Sequence, residues 1–292
     1  MIQIDPSQVS TRKLHGMMLG AVGPRPIAFA STIDTEGNPN LSPFSFFNVF
    51  SANPPILIFS PARRVRDNTA KHTLNNALAT KEVVINIVSY DIVQQMSLSS
   101  TEYAEGVNEF EKSGLSMVPS KKVKPFRVGE SPVQFECKIN EVLSMGEEGG
   151  AGNLIICEVL MMHVKENVLN ADGAIDQHKI DQVARMGGNW YTRANQGMFE
   201  VPKPLQKLGI GIDALPKEIK NSTVFTGNDL GKLANVEKMP KNATAKAFVN
   251  KNSDIRDKIQ DANLIEIHKF AKQYLEINEV DTAWNILAAI QY

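Results

Sequence analysis

The chain predicts a mainly β fold with added helices: an antiparallel barrel or sandwich followed by a C-terminal extension of different character. Three observations carry that reading. Short runs rich in Ile, Val, Phe and Ser recur between residues 27 and 168, bounded by Gly, Pro and Asn. Few helical stretches separate them, which argues against a doubly wound parallel sheet. After about residue 193 the strand signal stops, and Pro and Gly recur until two amphipathic runs close the chain.

In order, residues 1–23 form a lead-in with one helical turn near 10–14. Pro24, Arg25 and Pro26 stiffen the chain ahead of a strand at 27–33, which ends in a turn built from Asp34, Gly37 and Asn38. A return strand spans 40–49, Asn53, Pro54 and Pro55 break the chain, and a third strand follows at 56–60. The spacing of Leu74, Ala77 and Leu78 predicts a helix over 68–81, capped by Asp67 or Asn68. A fourth strand at 83–88 precedes helices at 91–103 and 108–112, and 114–132 reads as loop. Two long strands, 133–145 and 154–168, flank a Gly-rich hairpin loop at 146–152. The organisation is thus a β domain over 1–200 and an extension over 201–292. The extension is irregular through Pro202, Pro204, Pro216 and Pro240, then a helical hairpin. The hairpin's apolar faces carry Leu264, Ile267, Phe270, Ala271, Tyr274 and Leu275 on one helix. Ala283, Trp284, Leu287 and Ile290 form the other face.

Composition narrows the function classes. Of 292 residues, 42% are hydrophobic and 22% charged, as a packed core requires. The formal net charge of -1 gives no electrostatic reason to expect a nucleic acid or an anionic membrane as partner. No run of about 18 apolar residues is present, and the N-terminus is too polar for a signal peptide, so a cytoplasmic protein is expected. Cys137 and Cys157 lie in apolar strand segments without metal-knuckle spacing and read as buried thiols.

Chemistry concentrates between residues 43 and 73, in PFSFFNVFSANPPILIFSPARRVRDNTAKHT. Arg63, Arg64 and Arg66 repel one another unless an anion or carboxylates sit among them. A helix start with Lys71 and Thr73 adds an ammonium, a hydroxyl and unpaired amides, which together make a phosphate site. The same loop also forms as a solvated turn if its arginines pair with Asp67 or other acids. Strand alternation would put Phe44 and Phe46 on one face and Ser45 and Phe47 on the other. A flat apolar surface beside a cationic pocket suits a ligand that is flat at one end and anionic at the other, such as flavin mononucleotide; an aromatic core strand is the alternative. A third segment, RMGGNWYTR at 185–193, sets a Gly pair among aromatic and cationic residues. It permits close backbone approach to a ligand or partner, or simply caps a turn.

Taken in order, RPIAFASTIDTEGNPNLSPFSFFNVFSANPPILIFSPARR, KHTLNNALATKEVVINIV and RMGGNWYTR resemble the flavin reductase-like, FMN-binding split-barrel family over roughly residues 10–195. The resemblance implies a Greek-key split barrel, a homodimer and FMN bound near the dimer interface. It further implies reduction of flavin by NADH or NADPH, with electrons passing to a small-molecule acceptor; other members are flavoredoxin-like carriers. By position, it places Ser45, Phe46, Phe47 and Asn48 beside the isoalloxazine, and Ser60, Arg63, Lys71 and Thr73 at the phosphate. Arg25 and Pro26 open the adjacent strand, and Arg185, Gly188 and Tyr191 match the later motif. No protein acid, base or metal is required by that chemistry. Two positions depart from the family pattern. His72 stands where an Asp is common, and Asn153 where NAD(P)H-using members carry a His, leaving His163 as the nearest substitute.

Overall fold

The computed structural model describes residues 1–104, 106–201 and 208–290. It divides into two units, Met1–Phe199 and Glu200–Tyr292.

The first unit opens with α1 (Thr11–Ala21), then β1 (Ala28–Ile33), β2 (Pro39–Phe44), β3 (Phe47–Ala52) and β4 (Pro55–Phe59). α2 (His72–Thr80), β5 (Glu82–Asn86), α3 (Val93–Leu98) and α4 (Glu109–Ser113) follow. Two short strands, β6 (Met117–Val118) and β7 (Arg127–Val128), precede the long pair β8 (Val133–Ser144) and β9 (Asn153–Val164). β10 (Val183–Arg185) and β11 (Tyr191–Arg193) close the unit as a hairpin.

Seven strands form one antiparallel sheet in the order β2-β1-β5-β8-β9-β4-β3. Its outermost strands are consecutive in the chain, joined only by Ser45 and Phe46. Laid flat, six strand spacings would hold them about 29 Å apart. Three Cα steps from Phe44 to Phe47 reach about 11 Å at most. The sheet therefore curls until its edges meet without pairing, which is a split barrel. Bulges at Leu160 in β9, opposite Glu136/Cys137, at Asn140 in β8 and at Phe50 in β3 supply bends that such curling needs.

Alternation then sorts the side chains. Ala28 and Ala30 of β1 face the barrel interior with Phe44, Phe59, Ile85 and Ile155, while Phe29 and Leu41 face outward under Ile92, Met96 and Phe110. β1 is consequently buried on both faces. α2 inserts Leu74 and Ala77 into the interior. Cys137 and Cys157 lie in that core as free thiols, and burial pushes both thiol pKa values up.

Three sequence expectations change. The single strand at 40–49 is two strands on opposite sheet edges, because the chain bends at Ser45–Phe46. Phe44 and Phe46 therefore do not share a face: Phe44 is buried against Phe59 and Phe46 is exposed. The helix after the Arg loop starts at His72, because Asn68 has a left-handed φ of 57° and Asp67 folds back onto Thr69. The N-terminal turn is an 11-residue helix, α1, obscured in the sequence by Gly16 and Gly20.

His163 is tied to a buried carboxylate. Glu136, with a fully buried side chain, accepts from the amides of Lys121 (2.9 Å) and Lys122 and pairs with His163 Nε2 at 2.6 Å. Burial pushes the Glu136 pKa up, but those amides and His163 outweigh it and hold it below the ordinary glutamate value.

The second unit is helical through its described length. Its helices are α5 (Lys217–Lys220), α6 (Gly227–Ala234), α7 (Asn242–Lys251), α8 (Ser253–Ile259), α9 (Leu264–Glu276) and α10 (Val280–Ala289). The expected irregular stretch holds the short helices α5 and α6 among turns and loops, and α7 and α8 lead on to the closing hairpin. Four to ten residues show too little periodicity to read, and Pro216 and Gly227 sit at helix starts, where they are tolerated. Pro202 and Pro204 lie outside the described residues. The closing hairpin is present as α9 and α10. Ile267, Ala271, Leu275, Ala283, Trp284 and Leu287 are buried, whereas Leu264 is exposed. Capping boxes at Thr226/Asp229 and Asn263/Glu266 start α6 and α9.

Two expectations follow for stability. Phe59→Ala, at a fully buried position, should cost about 3–5 kcal/mol in chemical denaturation of the first unit. Glu136 stabilises the fold fully above the unfolded glutamate pKa of about 4.3, and that contribution is lost as pH falls through its lower native value. Glu136→Gln should therefore flatten the acid limb of stability against pH, measured by urea midpoints across that window.

Candidate functional site

Strand register assembles the site. Phe44 pairs with Ala28, so the linker Ser45–Phe46 lies beside the segment entering β1, which holds Arg25 and Pro26. Arg25 and Arg185 exchange backbone hydrogen bonds of 2.9 and 2.8 Å, which brings the 185–193 hairpin alongside. On the other side Phe47 pairs with Phe59, and the Ser60 amide donates to Phe46 O at 2.9 Å. The linker thus joins the Arg25–Arg185 side to the Ser60–Lys71 loop.

The ring segment is open. Phe46 is 38% exposed, Asn48 is exposed, and Ser45 and Phe47 are half-buried. The His15 ring stands edge-on to Phe46, with centroids 6.2 Å apart. Asn48 Oδ1 accepts from the Val49 amide at 2.8 Å.

The loop's cations fall into two groups. Arg64 donates to Glu102 (3.1 Å), Thr69 Oγ1 and Ala70 O. Arg66 pairs with Glu102 (2.8 Å) and Asp67 (3.0 Å). These two arginines make the solvated turn. Arg63 donates only to Asn68, at 2.6 Å to Oδ1 and to O, and meets no acid among the described residues. Lys71 precedes α2 and is half-buried. It makes no ion pair or side-chain hydrogen bond among the described residues. Burial, and then Arg64, hold its ammonium below the ordinary lysine pKa. The amides of His72 and Thr73 begin α2 and have no acceptor among the described residues. A half-buried cation beside unpaired amides is the donor set that a phosphate fits.

Other predicted residues are turned inward. The Thr73 hydroxyl is buried and accepts from Asn40 Nδ2 at 2.9 Å, so only its amide remains with the cations. Asn40 and Asn76 both donate to Thr32 Oγ1, which ties α2 to the β1–β2 hairpin. The Arg25 guanidinium is buried and donates to Leu19 O (2.6 Å), Val22 O and Met186 O (2.9 Å), so it clamps the end of α1 to the 185–193 hairpin. Pro26 is exposed. Arg185 stacks over the Tyr191 ring at 4.5 Å, and Gly188 takes the left-handed turn, φ 57°, ahead of Trp190, which is 78% exposed.

Sequence reasoning missed the residues that shape the loop. Ser60 Oγ accepts from the Asn153 amide at 3.0 Å, and Asn153 Nδ2 donates to Pro61 O at 3.1 Å. Arg63 exchanges backbone bonds with Ala151 and Gly150. A Cβ on Gly152 would lie 2.9 Å from Ser60 Oγ, so the glycine run at 146–152 lets the two loops interlock. That run was the available signal. A separate cleft is lined by Arg127, Gln134, His163 and Lys165. Its charged groups are engaged within the protein: Arg127 with Pro119 O and Gln134, His163 with Glu136, and Lys165 with Glu130 O.

Known proteins share the family profile and the fold. The sequence profile described as flavin reductase like domain matches residues 20–183. An uncharacterised protein of Aquifex aeolicus is 39% identical over 181 residues, which span 62% of this chain and 90% of the relative. The crystal structure of nitrilotriacetate monooxygenase component B from Bacillus cereus superposes with a TM-score of 0.65 and 27% identity, covering 69% of this chain and 98% of that one. A candidate flavin reductase with a split barrel domain from Shewanella frigidimarina superposes at 0.58 and 26% identity, covering 70% and 100%. With strand order, loop chemistry and profile in agreement, the chain belongs to the flavin reductase like domain family.

Proposed function

We propose that the chain is an FMN-binding flavoprotein and an NAD(P)H-dependent flavin reductase, acting in the cytoplasm as a homodimer. The observation that carries the reading is Lys71: a half-buried cation that makes no ion pair among the described residues, beside the amides of His72 and Thr73 that start α2, in the same loop as Arg63. A dianionic phosphate neutralises that set, and the open linker Ser45–Phe46 lies at the other end of the same wall. Bound there, FMN supplies the acceptor atom, N5, for a hydride from the nicotinamide, and the electrons leave to a small-molecule acceptor.

The protein's part is positioning. Arg63, Lys71 and the amides of His72 and Thr73 would hold the phosphate, with Ser60 fixing the loop's start. Ser45, Phe46, Phe47 and Asn48 would flank the ring, and Arg185, Gly188 and Tyr191 would approach it from the hairpin that Arg25 anchors. Orientation of two flat reactants accounts for the rate without a protein acid or base. Exposed Val49 and Phe50 on the edge strand β3 support a dimer, since they leave apolar surface at an unpaired sheet edge.

One observation favours a second reading, an FMN electron carrier without its own nicotinamide site. Asn153 and His163, the two side chains placed to meet the donor, are both engaged inside the protein.

Purified protein should bind FMN and show a flavin spectrum; colourless protein that fails to bind FMN rules out both readings. Lys71→Ala should weaken FMN binding by about 1.5–3 kcal/mol, measured by fluorescence titration. Anaerobic mixing with NADH or NADPH should bleach the flavin band, and no bleaching with either donor selects the carrier.

A further inference from the structure

None of the residues of α1 is buried, although it carries Leu14, Met17, Met18 and Leu19. An isolated 11-residue helix with two glycines is not stable in water, so tertiary contacts hold it. Those contacts are made by the Thr11 and His15 side chains and by the backbone of the last turn, residues 19–22. They reach three different parts of the proposed flavin site. A Cβ on Gly150, whose amide donates to Arg63 O, would meet Thr11 Cγ2 at 3.2 Å. His15 stands edge-on to Phe46. Leu19 O and Val22 O accept from Arg25. A Cβ on Gly187 would lie 3.0 Å from Gly20 Cα. The helix, about 16 Å long, therefore runs from the phosphate loop, past the ring segment, to the 185–193 hairpin.

It is pinned along its length, yet the pinned face stays open. Met18 is 50% exposed, Val22 64%, and His15 only half-buried. Covering that exposed flank with a flat apolar group removes its apolar surface from water. All but two residues of α1 precede residue 20, where the family match begins, so this wall lies largely outside the matched domain.

We infer that α1 is the outer wall of the flavin cleft, with the isoalloxazine lying along its open face and His15 acting as a positioning residue for the ring. The inference rests on the flavin reading above. An edge-on imidazole and phenyl make a surface suited to a flat aromatic group.

Hydrogen–deuterium exchange on the full chain tests it, with and without saturating FMN and at two protein concentrations. FMN should slow exchange in peptides covering 13–22 as well as 60–75. Protection confined to 60–75 overturns the wall and leaves the flavin reading standing. Absence of FMN binding overturns both. Protection of 13–22 that follows protein concentration without FMN assigns the face to a second copy and overturns the inference. His15→Ala should weaken FMN binding about 3- to 10-fold and shift the bound flavin's visible band. His15→Phe should restore binding, a rescue that a purely structural role for the imidazole does not give; no change in affinity or spectrum with His15→Ala overturns the positioning role.

Discussion

The linker of two residues between β2 and β3 is the constraint on which the first unit depends. Ser45 and Phe46 connect strands at opposite edges of a seven-stranded sheet. No flat arrangement satisfies that connection, so closure is imposed by chain length before any side chain is considered. Closure encloses the interior where Phe44, Phe59 and Ile155 pack. It also leaves the linker outside the strand ladders: Phe46 O accepts from the Ser60 amide, while the Phe46 side chain stays exposed at the seam. The fold thereby puts an exposed aromatic linker next to the loop that carries Lys71.

The polar groups around that seam divide into those that build and those left over. Arg25, Thr73, Asn40 and Asn153 are all buried and all engaged, each joining two segments distant in sequence. Their hydrogen bonds contribute about 1 kcal/mol each, but leaving any of them unpaired would cost more, so they fix geometry as much as stability. Arg64, Arg66, Asp67 and Glu102 pair at the surface, where ion pairs contribute little. Once these are removed, the loop's unmatched positive charge is concentrated at Lys71 and Arg63, beside the start of α2. A local excess of charge persists in a chain whose overall formal charge is only -1.

Much of this was legible in the sequence. Period-two alternation and turn residues located most of the sheet, and the Arg residues with Lys71 located the loop on which the proposed phosphate contact rests. What escaped was set by tertiary context. Nothing local distinguishes Arg63 from Arg64; Glu102, 38 residues on, makes the distinction. Thr73 carries a hydroxyl at a helix start, the expected place for an anion contact, but burial against Asn40 turns it inward. α1 was hidden because its two glycines lower helix propensity and its stability comes from Arg25 and the barrel. The strand break at Ser45 lies inside an aromatic-rich run, Phe44 to Phe50, without a glycine or proline to mark it, and alternation carries no information about which sheet edge a strand joins.

Asn153 shows how an apparent gap in a site can be a structural requirement. Its side-chain amide reaches Pro61 O while its backbone amide holds Ser60 Oγ, and Gly152 lets the two loops touch. A histidine there would keep the backbone bond but not the amide geometry, and its imidazole would have to lie either in a buried position or outward. Asparagine therefore locks the loop that presents Arg63 and Lys71, at the expense of a group facing a second ligand. Under the proposed reductase reading, a group that orients the electron donor has to come from the segments that remain open around the seam: the His15 face of α1 and the hairpin carrying Arg185 and Trp190. Both are tied to the barrel by the same buried guanidinium, Arg25, so one clamp fixes the two exposed walls relative to the linker between them.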